Sequence, residues 1–387
     1  MDVYLNLSDH DRVLMGQINH DTIDEITLAM PGVASDLPDY FQLLGMPPLR
    51  GLPAGYENMC QHINARGRTA LMVIPQEKIS IHLQNCLRRI QEVLQDEENA
   101  DYLVTYLAVK RFLHDLTRAS VDAAALRSLI SRCQYSAVRT SLESFLPLAD
   151  GLSQAVEYST VRTATGRLTV REGPQILTVP GSARACIQSS FSNGQVLQID
   201  IISAEPKFAL HLRGIDPPKD VYDHIARTIL EDQVTREQAK LITLCALYGQ
   251  SAKKLGEQLP PDVGARGVIQ RTKTYFDRDF LLSRLKTESK QGVLRNAIGR
   301  PLNIPDDNPH LLVSYYLQSS VSEGSILMFS RFIEETKLTC QPLFVIHDAL
   351  IIDCDQESAE KMLQNSELKL SLGDWKFDVE VKHVGDI

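Results

Sequence analysis

Between residues 74 and 148 the apolar positions recur with a helical period. In IPQEKISIHLQNCLRRIQEVLQDEEN (74–99), Ile79, Leu83, Leu87, Ile90, Val93 and Leu94 fall on one stripe, which predicts an amphipathic helix. YLVTYLAVKRFLHDL (102–116) predicts a second helix, and AALRSLISRCQYSAVRTSLESFLPLA (124–149) a third. Helices of this kind suit an extended antiparallel arm, with their stripes packed as core. After 150 the apolar runs shorten. VLQIDII (196–202) is rich in β-branched residues and predicts a buried strand. Helical patterning occupies 219–300, interrupted by LPPDVGARG (259–267), and a further helix is predicted around 310–335. In PLFVIHDALIIDCD (342–355) two apolar runs flank His347–Asp348, a strand–turn–strand pattern, and WKFDVEVKHV (375–384) alternates like a strand. The expected class is α/β of the α+β kind, an antiparallel sheet with helices beside it.

Composition adds bounds. The 387 residues suffice for two or three domains. The polar, acidic start MDVYLNLSDHDR lacks the pattern of a signal or transit peptide, and no apolar run is long enough to span a membrane. Seven scattered cysteines, none in a C-x-x-C pair, predict reduced thiols in a cytoplasmic compartment and exclude a disulfide framework. The net charge of -9 is unevenly spread. Residues 1–60 carry nine acids and two bases, whereas 160–300 carry 21 Lys/Arg against 14 Asp/Glu. A basic block in an acidic protein is a footprint for an anionic ligand, or simply a solvated face. GMPPLRGLPAGY (45–56) reads as a loop or boundary.

Two aspartates stand out by their surroundings. Asp200 closes the apolar run at 196–202, and Asp348 sits between the two apolar runs at 342–355. Taken singly, an aspartate in such a place is most often a turn or cap residue. If the strands were neighbours, the pair could share two Mg²⁺ ions and clamp the oxygens of a phosphoryl transfer. Downstream, Thr235 is a good N-cap. Arg236, Lys240, Leu244 and Tyr248 then follow at steps of four, and Gly249 ends the helix. That face can hold a polyphosphate at its cationic end and pack a sugar or base at its flat end. An ordinary amphipathic surface helix has the same spacing.

Five blocks in order then match one family. They are RTATGRL (162–168) followed by PQILTVP (174–180), DIISAE (200–205), REQAKLITLCALYG (236–249), YYLQSSVSEG (315–324) and VIHDAL (345–350). Over roughly 60–387 the chain resembles the polymerase region of family A DNA polymerases, of the divergent phage or virus type. The resemblance implies a right-hand fold with an antiparallel palm sheet and helical fingers and thumb. The thumb would be 61–150, the palm 151–215 and 309–387, and the fingers 216–308. Asp200 and Asp348 would hold two Mg²⁺ ions, with Mn²⁺ as a substitute. Lys240 would join them in catalysis. Arg236, Lys240, Leu244, Tyr248 and Gly249 would bind the incoming dNTP, and Glu205 would act as a gate against a ribose 2′-OH. Thr165, Arg167, Gln318 and His347 would meet primer–template DNA.

The departures from the family are also informative. Ala349 replaces a Glu of the hairpin, which implies lowered efficiency and not inactivity. Leu244 stands where an aromatic packs on the sugar. Ile201–Ile202 and Pro206–Lys207 also differ from the usual residues. Residues 1–60 are too few for the family's proofreading domain. They read as its vestige, a cap, or a docking segment for a separate exonuclease or replisome subunit. Two alternatives stay open. Single-subunit RNA polymerases share the Arg-x3-Lys-x7-Tyr-Gly spacing and the His-Asp turn, but carry a small residue where Glu205 stands. A nonenzymatic DNA-binding protein on a decayed polymerase fold is the other.

Overall fold

The computed structural model describes residues 2–6, 12–17, 25–29, 36–46, 62, 75–249, 252–290, 294–304 and 311–385. The chain divides into two compact units, Met1–Lys110 and Arg111–Ile387. This division falls inside the helical stretch 61–150.

In the first unit, β1 (Asp2–Asn6) lies between β2 (Arg12–Gln17), antiparallel to it, and β3 (Glu25–Ala29), parallel to it. Helices α1 (Asp36–Leu43) and α2 (Gln76–Leu94) follow, and then α3 (Glu97–His114), within which the first unit ends. Pro75 precedes α2, where a missing N–H costs nothing. On the predicted stripe of α2, Ile90 and Val93 are buried and Leu87 and Leu94 half-buried. The side chains of Ile79 and Leu83 lie outside the described residues, as does the Pro/Gly-rich stretch from residue 47 on. Tyr40, Tyr102 and Tyr106 cluster with ring centroids 5.3–6.2 Å apart.

The single helix expected over 124–149 is instead two, α4 (Ala123–Arg132) and α5 (Ser136–Glu143). Leu126 and Leu142 are both buried. Sixteen residues apart on one straight helix, they would face about 160° away from each other at ~100° per residue. Breaking the helix lets both reach the core. Cys133 turns extended, and Arg139 donates 2.9 Å to its carbonyl, satisfying a group the break frees.

Short pairs β4 (Ser120–Val121) with β7 (Ile187–Gln188), and β5 (Glu157–Ser159) with β6 (Thr169–Glu172), flank the main sheet. That sheet has five antiparallel strands. They are β8 (Gln195–Ile201) and, past the short pair β9 (Leu294–Arg295) and β10 (Pro301–Leu302), β11 (Cys340–Ile346), β12 (Ala349–Cys354), β13 (Lys369–Leu372) and β14 (Trp375–His383). Their order is β11-β12-β8-β14-β13. All six residues of β12 are buried, as suits a strand with partners on both edges. In β8, Leu197, Ile199 and Ile201 are buried while Gln198 and Asp200 alternate to the opposite face. Glu380 and Lys382 of β14 pair with Asp200 and Gln198, so this face is polar.

Helix α6 (Ala204–His211) follows β8 and packs on α12 (Leu311–Glu335). Phe208 meets Tyr316 and, edge-on at 4.7 Å, Trp375. Lys207, fully buried, donates 2.5 Å to Asp378, so the Pro206–Lys207 departure has a local partner. Between α6 and α12 run α7 (Val221–His224), α8 (Arg236–Tyr248), α9 (Ala252–Gly256), α10 (Ala265–Phe276) and α11 (Arg278–Lys290). Helix α13 (Gln356–Gln364) follows β12. Among the described residues no helix is long and apolar enough to cross a membrane.

Candidate active site

The hairpin β11–β12 turns through His347 and Asp348, and Ile346 pairs with Ala349. Ala349 is also opposite Asp200 on β8, and the Ile201 N–H donates 3.0 Å to the Asp348 carbonyl. The two strands are therefore neighbours, and their aspartates stand one residue step apart. His347 and, after β8, Ser203 each adopt a φ of 53°. Such left-handed backbone is costly for a residue with a Cβ, and two of the instances in this chain lie beside the two aspartates.

Asp348 lies deep enough that burial, and next the Asp200 carboxylate, push its pKa up to about 7. Burial also raises Asp200, opposed by Lys382 and by a 3.1 Å bond from Gln198. Each of two adjacent carboxylates raises the pKa of the other, and a cation bound between them would reverse that shift. Among the described residues no group of three or more His, Cys, Asp and Glu gathers as a ligand set. Two carboxylates suit Mg²⁺, which fills its shell with water and substrate phosphates. Asp200 and Asp348 thus fit a hard divalent cation.

Next to the hairpin opens a cleft of about 360 Å³. Arg167, Glu205, Lys240, Leu244, Tyr248, Gln318, His347 and Asp348 line it. Helix α8 supplies one wall. Thr235 accepts from the Gln238 N–H at 3.2 Å and Gln238 returns the bond at 2.9 Å, a full capping box, while Gly249 takes φ 74° at the far end. Ala239, Ile242, Ala246 and Leu247 bury one side of the helix, leaving Arg236, Lys240, Leu244 and Tyr248 on the open side.

Glu205 opens α6 and is held at both oxygens. Arg167 donates 2.5 Å to Oε1, and the Tyr248 hydroxyl donates to Oε2. Burial and the Glu205 charge raise the Tyr248 pKa, so the phenol keeps its proton and stays a donor. His347 is lowered by burial and then by Arg167 and Arg184, which keeps its imidazole neutral near pH 7.

The loop that carries Arg167 rests on a buried polar network. Thr165, expected at the DNA, is buried at 7% exposure and is not among the residues that line the cleft. Gly166 has φ 70°, and a Cβ there would come within 2.8 Å of the Arg300 guanidinium. Arg300 donates 2.7 Å to the Thr160 carbonyl and 2.7 Å to Glu323 of α12. Ser322 donates 3.2 Å to the Gly166 carbonyl. No other side chain than glycine fits between loop and arginine without movement.

Sequence reasoning missed Tyr222, Val321 and Ser322, which also line the cleft. It missed Asp220, which takes Arg236 Nε at 2.6 Å, and Arg184, whose charge acts on Asp200 and His347. An N-cap followed two residues on by an aromatic carries no site signal until the fold is known.

No family model matches the chain. It is 24% identical over 232 residues to DNA polymerase I of Aquifex aeolicus (strain VF5), covering 53% of this chain and 40% of that relative. The chain thus spans well under two thirds of the relative's length. Among solved structures its fold is similar to the POL domain of Pol1 from M. smegmatis, in complex with DNA primer-template and dNTP. The TM-score is 0.52 at 15% identity, over 93% of this chain and 86% of that one. The right-hand polymerase fold expected from the sequence is the fold found, and the domain is like the polymerase domain of family A.

Proposed function

We propose that the chain is a template-directed DNA polymerase that adds deoxynucleotides to a primer 3′-OH. The observation that carries this reading is the single cleft in which Asp348, with Asp200 beside it, faces Lys240, Tyr248, Glu205 and Arg167. The comparisons support the chemistry by likeness, since the solved neighbour was captured with primer-template and dNTP. In this reading 61–150 is the thumb, 151–215 and 309–387 the palm, and 216–308 the fingers.

Asp200 and Asp348 would hold two Mg²⁺ ions, with Mn²⁺ as a substitute; these activate the attacking hydroxyl and stabilise the leaving pyrophosphate when bound. Arg236 and Lys240 neutralise the triphosphate, and Lys240 gives a proton to the leaving group. Leu244, Tyr248 and Gly249 form the flat end against the sugar and base. Arg167, Gln318 and His347 meet the minor groove and primer end. Affinity for primer–template falls steeply with salt.

Glu205 favours deoxynucleotides over the RNA polymerase reading. Its carboxylate is fixed from two sides, so it cannot swing away from a 2′-OH. The test is extension of a labelled primer on a DNA template with Mg²⁺ and dNTPs or rNTPs in parallel. Wild type extends with dNTPs. In Glu205→Ala, ribonucleotide use rises about 10–200-fold relative to dNTPs, the range one group is worth in a shaped pocket. Efficient rNTP use by the wild type would sink the DNA polymerase reading. No extension with either would favour a decayed fold.

A further inference from the structure

Beside the cleft, α7 and α8 build a cradle around the two cations. Asp220 is the N-cap of α7, and its Oδ1 accepts from the N–H groups of Tyr222 at 3.0 Å and Asp223 at 3.1 Å. Its second oxygen takes Arg236 Nε at 2.6 Å. The Arg236 guanidinium lies 5.6 Å from the Tyr222 ring centroid, and Lys240 Nζ lies 5.9 Å from the same ring. One ring thus carries both cations, and one anchored carboxylate pins the arginine.

The pinned atom matters. A guanidinium has five N–H donors in a rigid fork, and Nε is the single one on its stem side. Asp220 uses Nε, and of the terminal nitrogens Nη1 has the exposed Glu237 carboxylate at 3.9 Å, beyond hydrogen-bond distance, so the terminal pair stays available to an anion. The carboxylate cannot follow the arginine away, because the cap of α7 fixes it. The face of Tyr222 attracts the guanidinium and, one helical turn on, the Lys240 ammonium. Each cation alone is a long side chain with many rotamers, and ordering it on binding costs affinity.

We propose that Asp220 and Tyr222 are positioning residues that hold Arg236 and Lys240 together, ready for a polyphosphate. This rests on the reading that those cations meet the triphosphate of the nucleotide. The opposite role is also physical: Asp220 could simply compete with the anion for Arg236. The two roles predict opposite signs for its removal.

Binding of magnesium tripolyphosphate, measured by calorimetry on the full chain, separates them without needing turnover. Asn is as good an N-cap as Asp, so Asp220→Asn keeps α7 while losing the acceptor for Nε. Asp220→Asn is expected to weaken binding about tenfold, the worth of one long side chain ordered beforehand. Tyr222→Leu should weaken it similarly, whereas Tyr222→Phe keeps the ring and the affinity. In an Arg236→Ala background, Asp220→Asn should have no further effect. In primer extension, the same Asn variant should raise the KM for dNTP with kcat little changed. Unchanged or tighter binding by Asp220→Asn overturns the proposal. Unchanged binding by Arg236→Ala overturns the functional reading instead, and a wild type that does not bind overturns both.

Discussion

Asp348→Asn is expected to abolish primer extension, lowering kcat by at least about a thousandfold, or ~4 kcal/mol of barrier. The substitution keeps the shape of the turn and removes one of the two negative charges that would hold the cations. Duplex binding should persist, because Arg167, Gln318 and His347, the residues placed against primer–template, are untouched. The same variant carries a pH signature. In metal-free buffer Asp348 has a folded pKa of about 7 against an ordinary 3.8. The native state therefore binds the extra proton between those values, and stability falls as pH rises through that window. The penalty is absent below about pH 4 and full above about pH 7. Denaturant titrations from pH 5 to 8 with a chelator should show wild type losing stability relative to Asp348→Asn. Added Mg²⁺ should restore wild type at pH 8 and leave the variant unmoved. A variant that still extends primers at a tenth of the wild-type rate would remove Asp348 from the chemistry.

Much of this site could be read from the chain because its parts are local. The capping box, the four-residue steps and the final glycine of α8 lie within fifteen residues of one another, and backbone geometry alone turns them into a face. The strand at 196–202 and the hairpin around His347–Asp348 were likewise visible as apolar runs. Their adjacency was not visible, because strand pairing over about 150 residues leaves no local trace. The resemblance to a known family supplied it. The helix break at Cys133–Tyr135 escaped because an apolar stripe looks continuous across a kink that re-aims it. Tyr222 and Asp220 escaped for another reason. Their meaning depends on Arg236, which is fourteen to sixteen positions away and meets them only when α7 packs on α8. The positive φ of Ser203 carried no signal, since serine does not favour left-handed backbone, and that of His347 carried only the weak one histidine shares with Asn and Asp.

Glu323→Gln is expected to cost about 3–5 kcal/mol of stability, the penalty for leaving one partner of a buried ion pair without its charge. Arg300 and Glu323 are 1% and 0% exposed and meet at 2.7 Å. Asn296 reinforces the pair: its amide donates 3.3 Å to Glu323 and 2.9 Å to Ser319, and its carbonyl accepts from the Arg300 N–H at 2.9 Å. The amide of the variant keeps the volume, so the loss measures charge and not packing. Replacing both partners with apolar residues, as in Arg300→Met with Glu323→Leu, should cost less than the single change. Stability and function then separate. The double variant removes the group that donates to the Thr160 carbonyl and lies under Gly166, so the loop bearing Arg167 loses its floor. Arg167 in turn holds Glu205. A double variant that is nearly as stable as wild type should still bind primer–template more weakly and discriminate less against ribonucleotides. Urea denaturation and the paired dNTP and rNTP extension assay measure the two halves. If the single variant unfolds within 1 kcal/mol of wild type, the network is not what fixes this loop, and the buried pair carries less than its burial implies.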